Sequence, residues 1–440
     1  MDRGNMNTVD VITRKRDGFK LEADEIRYMV EGYTQGDIPD YQMAAFLMAV
    51  YFREMDREET VALTEAMKSS GDTADLTAIK GIKVDKHSTG GVGDKTTLIA
   101  GPLAAACGVL VAKMSGRGLG FTGGTVDKLE SIPGFSTAVE EKEFIRLVNE
   151  NGIAVIGQTG QIAPADKKIY ALRDVTATVE NLSLITSSIM SKKLASGSDA
   201  ILLDVKCGSG AFMKTIGEAE KLASLMVDIG TAGGKRTAAL ITDMSQPLGM
   251  GVGNAIEVRE AIEVLKGKGP EDITELSVRL AAMMVYLGEK AEDEEKAVEM
   301  VRKALEDGRG LEKFRELVKG QGGNPRITED YSLLPEGKIC LPLRAWEDGY
   351  IEEIDAMRTG LASQHSGAGR EKKEDAIDLS AGILFNHKVG AFVKKGETIC
   401  EVYGNDVKKA EKALEEMSNA VRISKDEPGV PALIKKTIGR

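Results

Sequence analysis

Two glycine-rich segments between residues 83 and 133 are rich in the residue types that bind anions. The first, residues 85–97, reads Asp-Lys-His-Ser-Thr-Gly-Gly-Val-Gly-Asp-Lys-Thr-Thr, and the second, residues 113–125, reads Lys-Met-Ser-Gly-Arg-Gly-Leu-Gly-Phe-Thr-Gly-Gly-Thr. Glycines allow several backbone N–H groups to turn toward one point, and the Lys, Arg, Ser and Thr residues between them add charged and hydroxyl donors. The pattern therefore predicts a phosphate site built from both segments.

Particular side chains are candidates for holding that phosphate. Lys86 supplies positive charge, and hydroxyl donors come from Ser88, Thr97, Ser115 and Thr125. Thr97 lies in the first turn of a helix predicted to run to Cys107, so the helix N-terminus and its free N–H groups face the first segment. His87 is the only one of the chain's three histidines within a glycine-rich segment, which makes it a candidate for chemistry.

Other interpretations of the glycines fit the residues less well. A Walker A loop needs Gly-Lys-Ser/Thr, whereas here the carboxylate of Asp94 precedes Lys95. Gly118, Gly120 and Gly123 match the spacing of a dinucleotide fingerprint, but the polar segment that follows ends at a proline and is not an apolar crossover helix. Glycines that serve tight turns alone would not require so many clustered donors.

A second polar cluster lies downstream, in residues 170–176 and 187–193. Arg173 and Lys192 are 19 positions apart in the sequence, and packing of two helices could place them side by side. They are either solvated surface charges or a recognition site for a planar polar ring that leaves as an anion.

Composition and charge exclude several classes of protein. At 440 residues, 42% of them hydrophobic, the chain is long enough for two or three globular domains. The net charge of −11 argues against a nucleic-acid binder, and no uncharged apolar stretch is long enough to span a membrane. The four cysteines are widely separated, and residues 1–10 have no apolar core typical of a secretory signal, so we expect a cytoplasmic protein.

Periodicity predicts an α/β protein in which an all-helical domain is discontinuous. The expected domains are a helical part over residues 1–72, an α/β phosphate-binding part over 73–162, a second helical part over 163–196, a second α/β part over 197–330, and a β-rich α/β portion over 331–440. Buried strands are expected at 108–112, 152–156, 200–205 and 238–242, in a largely parallel sheet. Such an arrangement would leave a cleft between the two bodies.

Long ordered motifs of this chain resemble the thymidine and pyrimidine-nucleoside phosphorylase family. They are Lys-x-Asp-Lys-His-Ser-Thr-Gly-Gly-Val-Gly-Asp (83–94), Ser-Gly-Arg-Gly-Leu-Gly (115–120), Thr-Gly-Gly-Thr-x-Asp-Lys-Leu-Glu (122–130), Ala-Asp-Lys-Lys-x-Tyr-Ala-Leu-Arg-Asp-Val-Thr (165–176), Asp-Val-Lys-x-Gly-Ser-Gly-Ala-Phe-Met (204–213) and Gly-Ala-Gly-Arg (367–370). The resemblance implies a helical domain and a larger α/β domain in a homodimer. It also implies reversible phosphorolysis, in which a pyrimidine nucleoside and inorganic phosphate give free base and a pentose 1-phosphate, with no organic cofactor.

The resemblance also implies roles for individual residues. The residues implied to bind phosphate are Lys86, Ser88, Gly90, Thr97, Lys113, Ser115 and Thr125. Those implied to bind the pyrimidine are Tyr170, Arg173, Ser188 and Lys192, and the residues implied to act in catalysis are His87, Arg173 and Lys192. A monovalent cation, expected to be K⁺, would be bound at a family site comprising Gly93, Leu248, Gly251 and Glu260.

The sequence departs from the family pattern at two positions. Phe121 replaces the usual histidine, and Lys95 stands where smaller residues are common, which puts the cation in doubt. Lys113 resembles the broad pyrimidine-nucleoside group, so both uridine and thymidine are the expected substrates. The alternatives are a strict thymidine phosphorylase, a nucleoside-monophosphate phosphorylase, or a non-catalytic protein that binds nucleoside or phosphate.

Overall fold

The structure is a computed structural model that describes residues 6–118, 121, 123–158, 160–370 and 375–439. Three residues of the second glycine-rich segment, Leu119, Gly120 and Thr122, lie outside the described residues. Within the described ranges, no helix is long and apolar enough to cross a membrane.

Helices and strands follow one another along the first half of the chain. They are α1 (Thr8–Arg16), α2 (Ala23–Gln35), α3 (Asp40–Arg53), α4 (Arg57–Lys68), β1 (Val84–Ser88), α5 (Thr96–Ala106), β2 (Val111–Ser115), α6 (Thr125–Glu130), α7 (Glu141–Asn151), β3 (Ile153–Gly157), α8 (Pro164–Val175), α9 (Leu182–Ala195), β4 (Ala200–Cys207) and α10 (Ile216–Ala232).

The second half begins with helices and continues into a β-rich part. Its elements are β5 (Arg236–Asp243), β6 (Gly251–Gly253), α11 (Ala255–Leu265), α12 (Glu271–Leu287), α13 (Glu294–Glu306), α14 (Arg309–Gly320), β7 (Ile339–Arg344), β8 (Gly349–Ile354), α15 (Ala356–Ser363), β9 (Gly382–Phe385), β10 (Phe392–Val393), β11 (Thr398–Gly404), α16 (Val407–Ala420), β12 (Val421–Ser424) and β13 (Ile434–Ile438). Short 3₁₀ turns occupy Pro325–Thr328 and Tyr331–Leu333, and a π-turn occupies Gln364–Ala368.

The chain divides into two compact units. Of the described residues, those within 1–78, 158–199 and 224–237 form the helical unit, and those within 79–157, 200–223 and 238–440 form the α/β unit. The predicted fold class, a discontinuous helical domain with a larger α/β domain and a β-rich C-terminal portion, is therefore confirmed. The exact domain boundaries drawn from the sequence stay predictions.

The helical unit forms because each of its helices buries one apolar stripe. Ile26, Met29 and Val30 are fully buried on α2 at the predicted helical spacing, and they pack in a core with residues of α3 and α4. Asp56 caps α4 in a reciprocal capping box with Glu59, as its sequence predicts. Asp40 is of a residue type that often caps helices, but Pro39 occupies the cap of α3 and Asp40 is its first helical residue.

The α/β unit contains parallel strand pairs that carry the glycine-rich segments. β1 pairs in parallel with β4, and β2 pairs in parallel with β3. The expectation of a largely parallel sheet needs one correction, because β13 returns from the far end of the chain and pairs antiparallel with β5. A returning strand can add to a sheet edge in this direction without a crossover helix.

Strand β2 begins later than its sequence suggests. The predicted strand at 108–112 was wrong at its start, since Gly108 adopts a φ of +88° directly after α5 and the strand begins at Val111. A glycine in this conformation ends a helix at little steric cost.

The C-terminal part is antiparallel. β6, β9, β11 and β7 form one sheet, and β10, β8 and β12 form another. The short strands that contain Gly349 and Phe392, β8 and β10, pair with each other. Because β6 begins at Gly251, this β-rich part is joined directly to the loop that precedes Gly251.

Candidate active site

The first glycine-rich segment is positioned by the end of strand β1. His87 and Ser88 are the last two residues of β1, in register with Leu203 and Asp204 of β4. The Ser88 hydroxyl accepts a hydrogen bond from the Gly90 backbone N–H at 3.2 Å, which turns the chain away from the sheet. The structure therefore places His87, Ser88 and Gly90 together at the carboxyl end of a parallel strand, where α/β proteins bind ligands.

Lys86 and Asp94 of this segment form a buried four-charge cluster with Asp204 and Lys206. Lys86 Nζ is 3.3 Å from Asp204 Oδ2 and 3.9 Å from Asp94 Oδ1. Lys206 Nζ is 2.8 Å from Asp204 Oδ2 and 3.9 Å from Asp94 Oδ2. Two positive charges thus lie beside two negative charges, and none of the four side chains is more than 8% exposed.

The cluster favours the charged forms of Asp94 and Lys206. Burial opposes ionisation of Asp94, but Lys206 and Lys86 outweigh it and hold the pKa of Asp94 well below its usual range. Burial would likewise lower the pKa of Lys206, but Asp204 and Asp94 raise it above its ordinary value. Lys86 also donates to the Thr96 hydroxyl at 2.5 Å, so its ammonium is fixed beside the first turn of α5.

Thr96 and Thr97 both lie at the predicted start of this helix, and Thr96 is the one whose hydroxyl contacts Lys86. Thr97 is half-buried in the same first turn of α5. Asp94 also accepts a hydrogen bond from Thr96 Oγ1, at 2.5 Å. The helix start and the charge cluster are therefore connected by one hydroxyl group.

Lys113 is part of the same region. The side chain is 4% exposed, and Nζ donates to the backbone carbonyl of Lys86 and lies 3.4 Å from Asp85 Oδ1. A surface position at the end of a strand is excluded, because Lys113 lies within buried β2. Lys113 therefore connects the backbone of the two glycine-rich segments.

Asp127 organises the described part of the second segment. Asp127 Oδ2 accepts from the Gly118 N–H at 2.7 Å, and Oδ1 lies 3.1 Å from Arg117 and 3.0 Å from Arg370. A Cβ at Gly124 would lie 2.0 Å from the Gly118 nitrogen, so only glycine permits this close approach. Ser115 ends β2 and Thr125 begins α6 on either side of this turn.

Three of the four residues expected to bind a cation, Leu248, Gly251 and Glu260, surround a lysine instead. Lys95 Nζ donates to the carbonyl oxygens of Leu248 at 3.0 Å and Gly251 at 2.8 Å, and to Glu260 Oε2. Burial would lower the pKa of Lys95, but Glu260 and Glu257 outweigh it and raise the pKa above its ordinary value. The residues present do not fit a bound K⁺, because an ammonium group already occupies the position among these oxygens.

In the helical unit, Lys192 and Ser188 lie one turn apart on α9. Lys192 Nζ donates to Asp166 Oδ2 at 2.6 Å and to Ser188 Oγ at 3.3 Å. The structure therefore brings these two predicted base-binding residues together, and it adds Asp166 of α8, which the sequence analysis missed. Asp166 holds the ammonium of Lys192 in a defined position, with about a fifth of the Lys192 side chain exposed.

Arg173 is held by backbone carbonyl groups at the junction of α8 and α9. Its guanidinium donates to the carbonyl oxygens of Thr178, Leu184 and Val179, at 3.1, 3.1 and 2.7 Å. The residue is fully buried, with its guanidinium carbon 5.7 Å from the centre of the Tyr170 ring. Burial lowers the pKa of Arg173 to about 10. Arg173 therefore stabilises the connection between α8 and α9, and its role in base binding stays a prediction.

Three regions of the chain match known families. Residues 80–311 match the glycosyl transferase family, a/b domain, and residues 9–71 match the helical bundle domain of that family. Residues 350–424 match the pyrimidine nucleoside phosphorylase C-terminal domain. The chain is 56% identical over 429 residues to the pyrimidine-nucleoside phosphorylase of Geobacillus stearothermophilus, an alignment that covers 98% of this chain and 99% of that protein. The chain belongs to the pyrimidine-nucleoside phosphorylase family.

Further comparisons agree with this membership. The pyrimidine-nucleoside phosphorylase of Staphylococcus haemolyticus is 52% identical over 439 residues, covering 98% of this chain and all of that protein. Among solved structures, the anthranilate phosphoribosyltransferase of Thermus thermophilus is similar with a TM-score of 0.58, over 71% of this chain and 99% of that one. At 18% identity this similarity concerns the fold alone.

Within this phosphorylase family fold, the charges missed by sequence reasoning are Asp94, Asp127, Asp166, Asp204, Lys206 and Arg370. All of them lie inside the quoted motifs, and Asp94 is the last residue of the first. A signal was therefore present, because a buried lysine such as Lys86 requires a carboxylate partner. The sequence did not show which carboxylate that partner would be.

Proposed function

We propose that this enzyme catalyses reversible phosphorolysis of pyrimidine nucleosides. Uridine, thymidine and deoxyuridine would react with inorganic phosphate to give the free base and an α-pentose 1-phosphate. The observation that carries the proposal is that Lys86, Ser88 and Gly90 lie together at the end of β1, with the Lys86 ammonium held in a buried, charge-balanced cluster. The names of relatives that are 52–56% identical over nearly the whole chain support the same reaction.

The proposed chemistry follows from the residue types. A phosphate oxygen held by Lys86 and Ser88 attacks the anomeric carbon, while the bond from that carbon to the pyrimidine nitrogen breaks and its electron pair enters the ring. Lys192 and Arg173 stabilise the negative charge that develops on the ring carbonyls. His87 donates a proton to the leaving base. Because attack and departure occur on opposite faces, we expect inversion at the anomeric carbon.

The remaining predicted residues position the reactants. Gly90, Thr97, Lys113, Ser115 and Thr125 would complete the phosphate site, and Tyr170 and Ser188 would complete the base site. Holding both reactants in line avoids the entropic cost of bringing them together during the reaction. No organic cofactor is required for this displacement.

Release of free base tests the proposed function directly. Uracil and thymine would be measured by ultraviolet absorbance after incubation with uridine and thymidine, with and without inorganic phosphate. We expect phosphate-dependent release from both nucleosides. Release from thymidine alone would indicate a strict thymidine phosphorylase, and release only from a nucleoside monophosphate would indicate a nucleotide-level enzyme. Binding without release would indicate a non-catalytic protein.

Substitution of Lys113 tests the proposed substrate breadth. We expect Lys113→Met to lower kcat/KM for uridine more than for thymidine, because an ammonium group near the sugar tolerates a 2′-hydroxyl. The two kcat/KM values would be measured under the same phosphate concentration. Lys113 also contacts the Lys86 carbonyl, so equal losses would show that it only positions Lys86 and would refute its role in sugar selection.

We also propose that the enzyme is a homodimer joined through the helical unit. Phe19, Tyr41 and Phe52 of that unit are 60%, 74% and 75% exposed, and large exposed apolar side chains are typical of interfaces. We expect the double variant Tyr41→Ser and Phe52→Ser to elute as a monomer in size-exclusion chromatography, whereas Phe392→Ser in the α/β unit remains dimeric.

The four cysteines, none of which forms a disulfide, support the proposal that the enzyme is cytoplasmic.

A further inference from the structure

The ammonium group of Lys95 is fully satisfied by three oxygen atoms. A lysine ammonium has three N–H donors and no acceptor. Here the acceptors are the carbonyls of Leu248 and Gly251 and one carboxylate oxygen of Glu260. Lys95 is completely buried, so water cannot replace any of these partners.

The oxygen atoms around Lys95 are held in place by other bonds. The two carboxylate oxygens of Glu260 accept from the backbone N–H groups of Met250, at 2.6 Å, and Gly251, at 3.0 Å. On the same loop, Lys388 donates to the carbonyls of Pro247 and Gly249, the latter at 2.8 Å. Residues 247–251, which we call the lysine-held loop, therefore direct four carbonyl groups at two ammonium groups, the fully buried one of Lys95 and the partly buried one of Lys388.

Backbone carbonyls and a carboxylate around one positive charge form the kind of oxygen donor set that binds a hard metal cation. In this chain the charge at that position is covalently attached to the protein. We propose that Lys95 is a built-in cation that replaces a dissociable monovalent cation, so that the lysine-held loop is ordered without added K⁺. A tethered charge costs no association entropy and cannot be lost by dilution.

The position of Lys95 connects this loop to the first glycine-rich segment. Lys95 is the N-cap residue of α5 and follows Asp94 of the four-charge cluster. The Leu248 N–H donates to the Val92 carbonyl at 3.0 Å. A Cβ at Gly93 would lie 2.4 Å from the Leu248 carbonyl oxygen. Loss of the ammonium group would therefore disturb the segment that carries the phosphate-binding residues.

Thermal unfolding in two salts tests the proposal without any substrate. The midpoint of the wild-type enzyme is expected to be the same in KCl and in choline chloride at equal ionic strength. Lys95→Thr removes the ammonium and leaves room for an ion. Its midpoint is expected to fall by roughly 5–10 °C in choline chloride and to recover saturably as KCl replaces choline.

Two further variants make the result specific. Lys95→Met removes the charge but fills the space, so its midpoint should be low in both salts. Lys408→Thr replaces an exposed lysine on α16 and should match the wild type in both salts. Phosphate-dependent base release, assayed in parallel, should follow the same pattern across the variants and salts.

Several results would overturn the proposal. One is a midpoint of the wild-type enzyme that rises saturably with KCl but not with choline chloride. This result would show that the wild type binds K⁺, and it can be obtained even if no Lys95 variant folds. Another is a Lys95→Thr variant as stable as the wild type in choline chloride, and a third is recovery of Lys95→Met by KCl. Since the melting measurement requires no substrate, failure of the proposed phosphorolysis would leave these outcomes unchanged.

Discussion

Replacing Lys206 with methionine is expected to lower the free energy of unfolding of the enzyme by about 3–5 kcal/mol. Lys206 and Asp204 are both completely buried, and the ammonium is 2.8 Å from the carboxylate. Methionine removes the charge while keeping most of the side-chain volume. Asp94 and Asp204 would then share only Lys86, which leaves one negative charge buried without compensation.

The loss is measured as a decrease in the urea midpoint at an unchanged m value. The double variant Lys206→Met with Asp204→Asn restores the charge balance and should recover a large part of the loss, since uncharged replacement of both partners is often nearly neutral. Lys408→Met, at an exposed position, should stay within about 0.5 kcal/mol of the wild type. If the single variant were as stable as Lys408→Met, the four-charge cluster would not contribute as described.

Replacing Arg173 with alanine is expected to lower kcat and kcat/KM together, by about 10²-fold or more. This result follows if Arg173 stabilises the charge on the departing base in the transition state. The same substitution also removes the donors to Thr178, Leu184 and Val179, so the variant should lose stability as well. The kinetics and the thermal midpoint must therefore be measured on the same preparation.

Comparison with a conservative variant separates the two roles. Arg173→Lys keeps the charge but cannot reproduce the planar fork that reaches three carbonyl groups. If the catalytic role is correct, the folded fraction of both variants should show reduced kcat with uridine. Normal kcat per folded molecule, with only a lower midpoint, would show that Arg173 is structural and would refute the base-binding prediction. Arg27→Ala, an exposed position of the helical unit, serves as the control.

Several features of the fold could be predicted from the local sequence. The buried positions of α2 recur with helical spacing, and the capping box of α4 is a four-residue pattern. The boundaries of helices and strands were harder to predict, as the starts of α3 and β2 show. A cap or a positive φ depends on how the chain turns in space. The antiparallel position of β13 could not be predicted, because its partner β5 is far away in the sequence.

The sequence by itself determined which donor types lie in the two glycine-rich segments, since the kinds of residue in a short motif do not depend on how distant parts of the chain pack. Only the tertiary structure decided which charges neutralise one another. Lys95 meets Glu260 across 165 positions, and Arg370 meets Asp127 across 243 positions. Spacing carries no signal for such pairs, and lysines are usually exposed. Burial makes each charge require a partner, and the packing of the α/β unit selects which residue that partner is.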